Sequence, residues 1–197
     1  MAEGTSAIIA ASPVTATGGV CAAPFGTTLP TDATTALANT FDKLGYVDDA
    51  GTKRTTNATD EKIKAWGGST VKVVRTEHSV TYTLAFMESL NANLLKRVYG
   101  EENVEITPPT ASSSGKINIR EKGELIPPEV YIVDMKDGAA RIREVIPNGQ
   151  LSVSGDAEFV HSAVIKYNVT IEALIGGIED DEKVKYIEYI DDGVKAA

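Results

Sequence analysis

The sequence predicts a mainly β protein with one docked α-helix, and three observations carry that prediction. Apolar and polar residues alternate over Val71–Phe86 and again over Phe159–Leu174, the two-residue period of a strand with one buried face. Turn residues punctuate the rest of the chain: Asp48-Asp49-Ala50-Gly51, Gly67-Gly68, Pro127-Pro128, Asp137-Gly138 and Pro147-Asn148-Gly149 leave short β-prone runs between them. One segment carries a full helix signature: Ser89 opens it and Leu90, Leu94, Leu95 and Val98 form its stripe. Lys96 and Arg97 suit the dipole of its last turn, and Gly100 stops it.

Taken in order, Met1 to Phe25 is rich in Ala, Gly, Ser, Thr and Val, and no Lys or Arg precedes Lys43. A secretory signal needs a basic start and a compact apolar centre, so this is not one. It reads either as a disordered tail or as an arm that orders on a partner through Val14, Val20 and Phe25. Residues 1–28 are taken as that arm and residues 29–197 as one domain. Thr31 or Asp32 can cap a short helix over Asp32–Lys43, with Ala33, Leu37, Phe41 and Leu44 at helical spacing. Tyr46–Val47 and Thr52–Thr56 flank a turn, and residues 47–68 form either a long hairpin or a loop with strand stubs. In Val71–Phe86 the apolar parity changes, and a bulge near Val74–Thr76 reconciles the halves. Thr107–Gly115 is a loop by composition. Ile117–Arg120, Val130–Met135, Ala139–Ile146 and Leu151–Ser154 are strands, and Asp137-Gly138 is a hairpin turn. Phe159–Leu174, at ~3.3 Å per residue, would span ~50 Å, which calls for a bend or a shared sheet. Val184–Ile190 is the last strand, behind the acidic run Glu179-Asp180-Asp181-Glu182.

Composition excludes more than it assigns. The 197 residues carry 28 acids against 19 bases, a net charge of −9, the wrong sign for casual binding to nucleic acid or anionic membrane. A single cysteine excludes an intrachain disulfide, and Cys21 has no neighbouring base to activate it. His78 and His161 could share a metal only if their strands were neighbours, and no spacing marks a third ligand; core or interface histidines are the plainer reading. The 179–182 run lacks calcium-loop spacing. The glycine pairs are not a phosphate fingerprint, and no nucleophile–base motif is present. No cofactor or metal is expected, and no enzyme. Trp66, the sole tryptophan, reads equally as a core plug or an interface anchor.

The order Leu29-Pro30-Thr31-Asp32-Ala33-Thr34, then Leu44-Gly45-Tyr46, then Ile63-Lys64-Ala65-Trp66-Gly67-Gly68 resembles the major tail tube proteins of long-tailed phages with non-contractile tails. It is most similar to those of phages infecting actinobacteria. The helix ending Val98-Tyr99-Gly100 and the alternation over Phe159–Leu174 fit the same pattern. The resemblance implies a β-sandwich or squashed barrel with an extended N-terminal arm and a long inter-subunit loop. It implies six-membered rings stacked into a hollow tube in the virion tail, assembled in the host cytoplasm, through which DNA passes during ejection without specific binding. The implied partners are further copies of the chain and the tape-measure, tail tip and terminator proteins. The immunoglobulin-like module that some relatives carry at the C-terminus is not expected here.

On that resemblance, Val71–Phe86 and Phe159–Leu174 are expected to line the lumen, because their polar phases are small or acidic. They offer Glu77, Ser79, Thr81, Thr83, Asn168, Thr170 and Glu172. Phe25 and Leu29 are expected to anchor the arm. Arg54, Lys62, Lys64 and Trp66 of the long loop are expected to meet Glu179, Asp180, Asp181 and Glu182 of a neighbour, although a solvated strand face explains the bases as well. Two rival readings remain. A carbohydrate or adhesion module would need an aromatic platform, and aromatic residues make up only 6%. A tail terminator or capsid decoration protein would form closed rings or trimers and not filaments.

Overall fold

The computed structural model describes residues 7–178 and 183–194. Its strands are β1 (Ser12–Pro13), β2 (Val20–Pro24), β3 (Asp42–Lys43), β4 (Lys53–Lys64), β5 (Thr70–Phe86), β6 (Val104–Thr107), β7 (Lys116–Ile119), β8 (Glu129–Asp137), β9 (Ala140–Val153), β10 (Tyr167–Ala173) and β11 (Ile187–Asp191). The α-helix α1 (Ala92–Tyr99) follows β5. Nine strands form one sheet in the order β3-β2-β8-β9-β10-β5-β4, with β1 added against β8 and β11 against β9. β6 and β7 form a separate two-stranded ribbon.

β9 belongs to both halves of the sheet. Arg141–Val145 lies between β8 and β11, whereas Gly149–Val153 pairs with β10. The sheet curls about this strand and closes on one apolar cluster. Val20 and Ala22 of β2 and Tyr131 of β8 meet Val80, Tyr82 and Leu84 of β5 and Val169 and Ile171 of β10. This is the sandwich or squashed barrel that the resemblance implied. The back of β2 and β8 carries a second cluster of Cys21, Ala23, Val130 and Ile132, covered by Phe41, Leu29 and Leu37.

The strongest periodic signals fold as expected. β5 is the longest strand, at 17 residues. Its register against β4 slips between Thr59/Glu77 and Asp60/Arg75, which leaves Thr76 as the bulge where the apolar parity changed. From Lys53 onward the 47–68 segment is the first arm and turn of a long hairpin, β4 pairing back on β5, and not a loop. Asp137 pairs with Ala140 across the Gly138–Ala139 turn. In α1, Leu94, Leu95 and Val98 are buried and Gly100 ends the helix at φ 91°. The start is later than expected: Asn91 caps the helix, its side chain accepting from the amides of Asn93 and Leu94, and Leu90 lies outside, exposed.

Four expectations are corrected. Val20–Pro24, assigned to the arm, is a core strand between β3 and β8. Both of its faces are buried, so it shows a continuous small apolar run and no alternation. No helix forms over Asp32–Lys43. The Asp32 carboxylate accepts from the amides of Thr34 and Thr35, and the Arg143 guanidinium takes the carbonyls of Asp32 and Thr35 at 3.0 and 2.9 Å. Those carbonyls are no longer available to helical amides. Pro147-Asn148-Gly149 does not separate two strands, because β9 runs through it. Gly149 is there for close approach: a Cβ would stand 2.6 Å from a ring carbon of Tyr131. Phe159–Tyr167 alternates but finds no partner strand, pairing starts at Tyr167, and Phe159 is exposed.

Candidate functional site

In antiparallel sheets, directly paired residues share a face. Register therefore assembles one continuous polar surface from four strands. Across β4 and β5, Lys53 faces Thr83, Thr55 faces Thr81, Asn57 faces Ser79 and Thr59 faces Glu77. β10 continues it, with Glu172 beside Thr81, Thr170 beside Thr83 and Asn168 beside Ala85. β9 completes it, with Gln150 beside Glu172 and Ser152 beside Thr170. None of these polar side chains is buried. The surface is mostly hydroxyl and amide, with one lysine against two glutamates. Thr170 donates to the Ser154 hydroxyl at 3.1 Å, so some of its donors are already satisfied within the chain.

All seven lumen candidates thus fall on one face: Glu77, Ser79, Thr81, Thr83, Asn168, Thr170 and Glu172. Sequence reading missed the companions on β4 and β9, namely Thr55, Asn57, Thr59, Gln150 and Ser152. The polar β-prone run Thr55–Asp60 was the available signal, but only register places it beside β5. Among the described residues β4 pairs with β5 alone, and Leu151–Val153 pair with β10 alone. The polar face therefore ends on both sides in open backbone hydrogen-bonding groups.

β10 stops pairing at Glu172 opposite Thr81. Beyond that point β4 and β5 continue as a two-stranded arm, an element of marginal stability by itself. Lys62 and Lys64 are exposed along it, and Trp66 at its tip is fully exposed, at 106%. That removes the core-plug reading of Trp66. Arg75 donates to Asp60 at 2.9 Å across the bulge and holds that carboxyl below its ordinary range.

Arg54 is engaged inside the chain instead of facing outward. It pairs with Glu144 at 2.8 Å and Glu188 at 3.3 Å, and lies 4.4 Å from the ring centre of Tyr186. It thereby ties β4 to β9 and β11. Leu29 packs on the second cluster, while Phe25, just past β2, is half exposed. Glu179, Asp180, Asp181 and Glu182 lie outside the described residues. The two histidines are exposed and not core, His78 on the two-stranded arm and His161 in the loop before β10. Burial pushes the Cys21 thiol up to about 11, so it is protonated at neutral pH. No group of three metal-ligating side chains occurs among the described residues, and none of their helices is long and apolar enough to cross a membrane.

The described residues thus present an uncovered polar face, open strand edges and a projecting hairpin. A family model described as phage tail tube protein matches residues 1–193. The chain belongs to the phage tail tube protein family. No curated protein sequence matches it closely enough to count as a relative. This tail tube protein is a structural component of the virion tail, and the family is one of subunits that assemble into a tube with other tail proteins.

Proposed function

We propose that six copies of this tail tube protein close into a ring, that rings stack into a hollow tube, and that DNA passes through its bore during ejection. The face built from β4, β5, β10 and the end of β9 lines the bore. One observation carries this reading: the continuous, unburied, hydroxyl- and amide-rich face, with one lysine against two glutamates, between two open strand edges.

The physical reason lies in phosphate chemistry. Each Lys or Arg that neutralises a phosphate releases counterions and adds salt-dependent affinity. A bore that must let a polyanion slide is best served by short neutral side chains and a few carboxylates. The open edges supply the ring contact, with β4 of one copy laid beside Leu151–Val153 of the next. Closing the ring satisfies the backbone groups that an edge leaves bare. The N-terminal segment with Phe25, and the hairpin carrying Lys62, Lys64 and Trp66, bridge neighbouring copies and rings. Tape-measure, terminator and tip proteins set the length and ends of the tube. Assembly takes place in the host cytoplasm, and the phage is one that infects actinobacteria.

Electron microscopy of the concentrated protein tests the first part, with hollow striated tubes of uniform width expected. Thr81→Lys/Thr83→Lys tests the second. Tubes of this variant should retain short duplex DNA in low salt and release it as salt rises, while wild-type tubes retain none. Closed rings or trimers that never stack would move the chain to a terminator or decoration role. Lysine tubes that bind no more DNA than wild type would place the face outside the bore.

A further inference from the structure

Among the described residues Trp66 is the most exposed large apolar side chain. It sits in a tight turn, with the Ala65 amide donating to the Ser69 carbonyl at 2.8 Å and the Gly68 amide to the Ala65 carbonyl at 2.9 Å. Gly67 and Gly68 both take left-handed φ values, 108° and 92°, conformations that cost other residues dearly. The turn therefore presents the indole on a defined stalk. Ile63, Val71 and Val73 behind it are half exposed, and Lys62, Lys64 and Lys72 surround them.

An apolar cleft with acidic residues at its side lies at the other end of β4. A cleft of about 270 Å³ lies between Ala11–Pro13 with Ala16, the Val47–Thr52 loop, and Val133–Met135 of β8. That volume takes one large side chain. Pro13, Val47, Val133 and Met135 give it an apolar lining, and Asp48 and Asp49 stand in the loop at its side. Asp48 is held by Lys166 at 3.1 Å, and Asp49 is exposed.

The stalk cannot fill its own cleft. Twelve residues of β4 separate the cleft loop from the tip turn, ~40 Å at ~3.3 Å per residue. The occupant must come from another copy. We propose that Trp66 of one subunit inserts into the Ala11–Pro13/Val47–Thr52 cleft of a neighbour, with the hairpin lysines against Asp49 at its rim. The contact joins different surfaces, so it propagates as a filament unless rotation closes it. It rests on the self-assembly proposed above and names the seat of the hairpin.

The sole tryptophan makes the test direct. Wild-type emission should shift to the blue, and acrylamide quenching should fall, as tubes form. Trp66→Ala should raise the protein concentration needed for tubes at least tenfold, with Trp66→Phe between the two, while urea unfolding of the monomer stays unchanged. Trp66→Cys/Ala50→Cys, in a Cys21→Ala background, should give an intermolecular disulfide ladder on oxidation of tubes. Tubes whose Trp66 stays water-quenched, or that form equally well in Trp66→Ala, overturn this contact and leave the tube reading standing. A wild-type chain that forms no tubes at any concentration, its indole always in water, overturns both.

Discussion

Arg143 is the residue whose loss should reveal most about how the segment carrying Leu29, Leu37 and Phe41 is held on the second apolar cluster. Its side chain is 5% exposed and that of Asp134 8%. Nε donates to Asp134 Oδ1 at 2.6 Å and Nη2 to Oδ2 at 2.9 Å, while Nη1 serves the Asp32 and Thr35 carbonyls. Arg143→Ala leaves a buried carboxylate without a counter-charge, which costs ~3–5 kcal/mol. That is a large share of the ~5–15 kcal/mol that holds a domain together. Arg143→Ala/Asp134→Ala removes the stranded charge as well. What then remains lost is the pair itself and two carbonyl hydrogen bonds, the latter ~1 kcal/mol each. The double variant should therefore be more stable than Arg143→Ala alone. Urea unfolding followed by far-ultraviolet circular dichroism is the assay, since the single tryptophan sits on an exposed tip and reports poorly on the core. A loss below ~1 kcal/mol in Arg143→Ala would refute the reasoning. So would a double variant whose loss equals the sum of the two single losses.

Two further predictions follow from the N-terminal half. Removing residues 1–11 should leave a cooperatively folded chain, because β1 and β2 survive. Removing residues 1–25 deletes the buried Val20–Pro24 strand and should abolish cooperative thermal unfolding; an intact transition in that truncation would contradict the placement of β2. The third concerns acid. The Thr35 hydroxyl, then the Thr35 and Thr34 amides, hold the Asp32 carboxyl at about 2, below its ordinary value of 3.8. A depressed carboxylate contributes stability above its unfolded value and loses it as pH falls through the folded one. Asp32→Asn should therefore have a shallower loss of stability between about pH 4 and pH 2 than wild type. Parallel acid limbs would show that the Asp32 turn contributes nothing there.

Legibility in the sequence tracked how local each cause was. The alternation of Val80 through Phe86, the parity change at Thr76 and the Gly100 stop lie within a few residues, and each is visible without a partner. The Asp32 turn looked helical because what claims its carbonyls, Arg143, lies 111 and 108 positions away. Val20–Pro24 escaped because small residues buried on both faces carry no period. Phe159–Val164 misled in the opposite direction, since alternation marks the ability to pair and not the presence of a neighbour. At the candidate site, the polar phases of β5 and β10 were legible one strand at a time. That Thr55 and Ser152 extend the same face depends on register. Arg54 looked like a solvent-facing base, and only the fold brings Glu144 and Glu188 within its reach.

A three-dimensional reconstruction of the assembled tube, at a resolution that separates strands, tests the central claim most directly. The account predicts that Thr55, Ser79, Thr81 and Thr170 point into the bore and that β4 of one subunit lies beside Leu151–Val153 of the next. A bore lined by the Cys21–Ile132 side of the fold, with the hydroxyl-rich face turned outward, would contradict it.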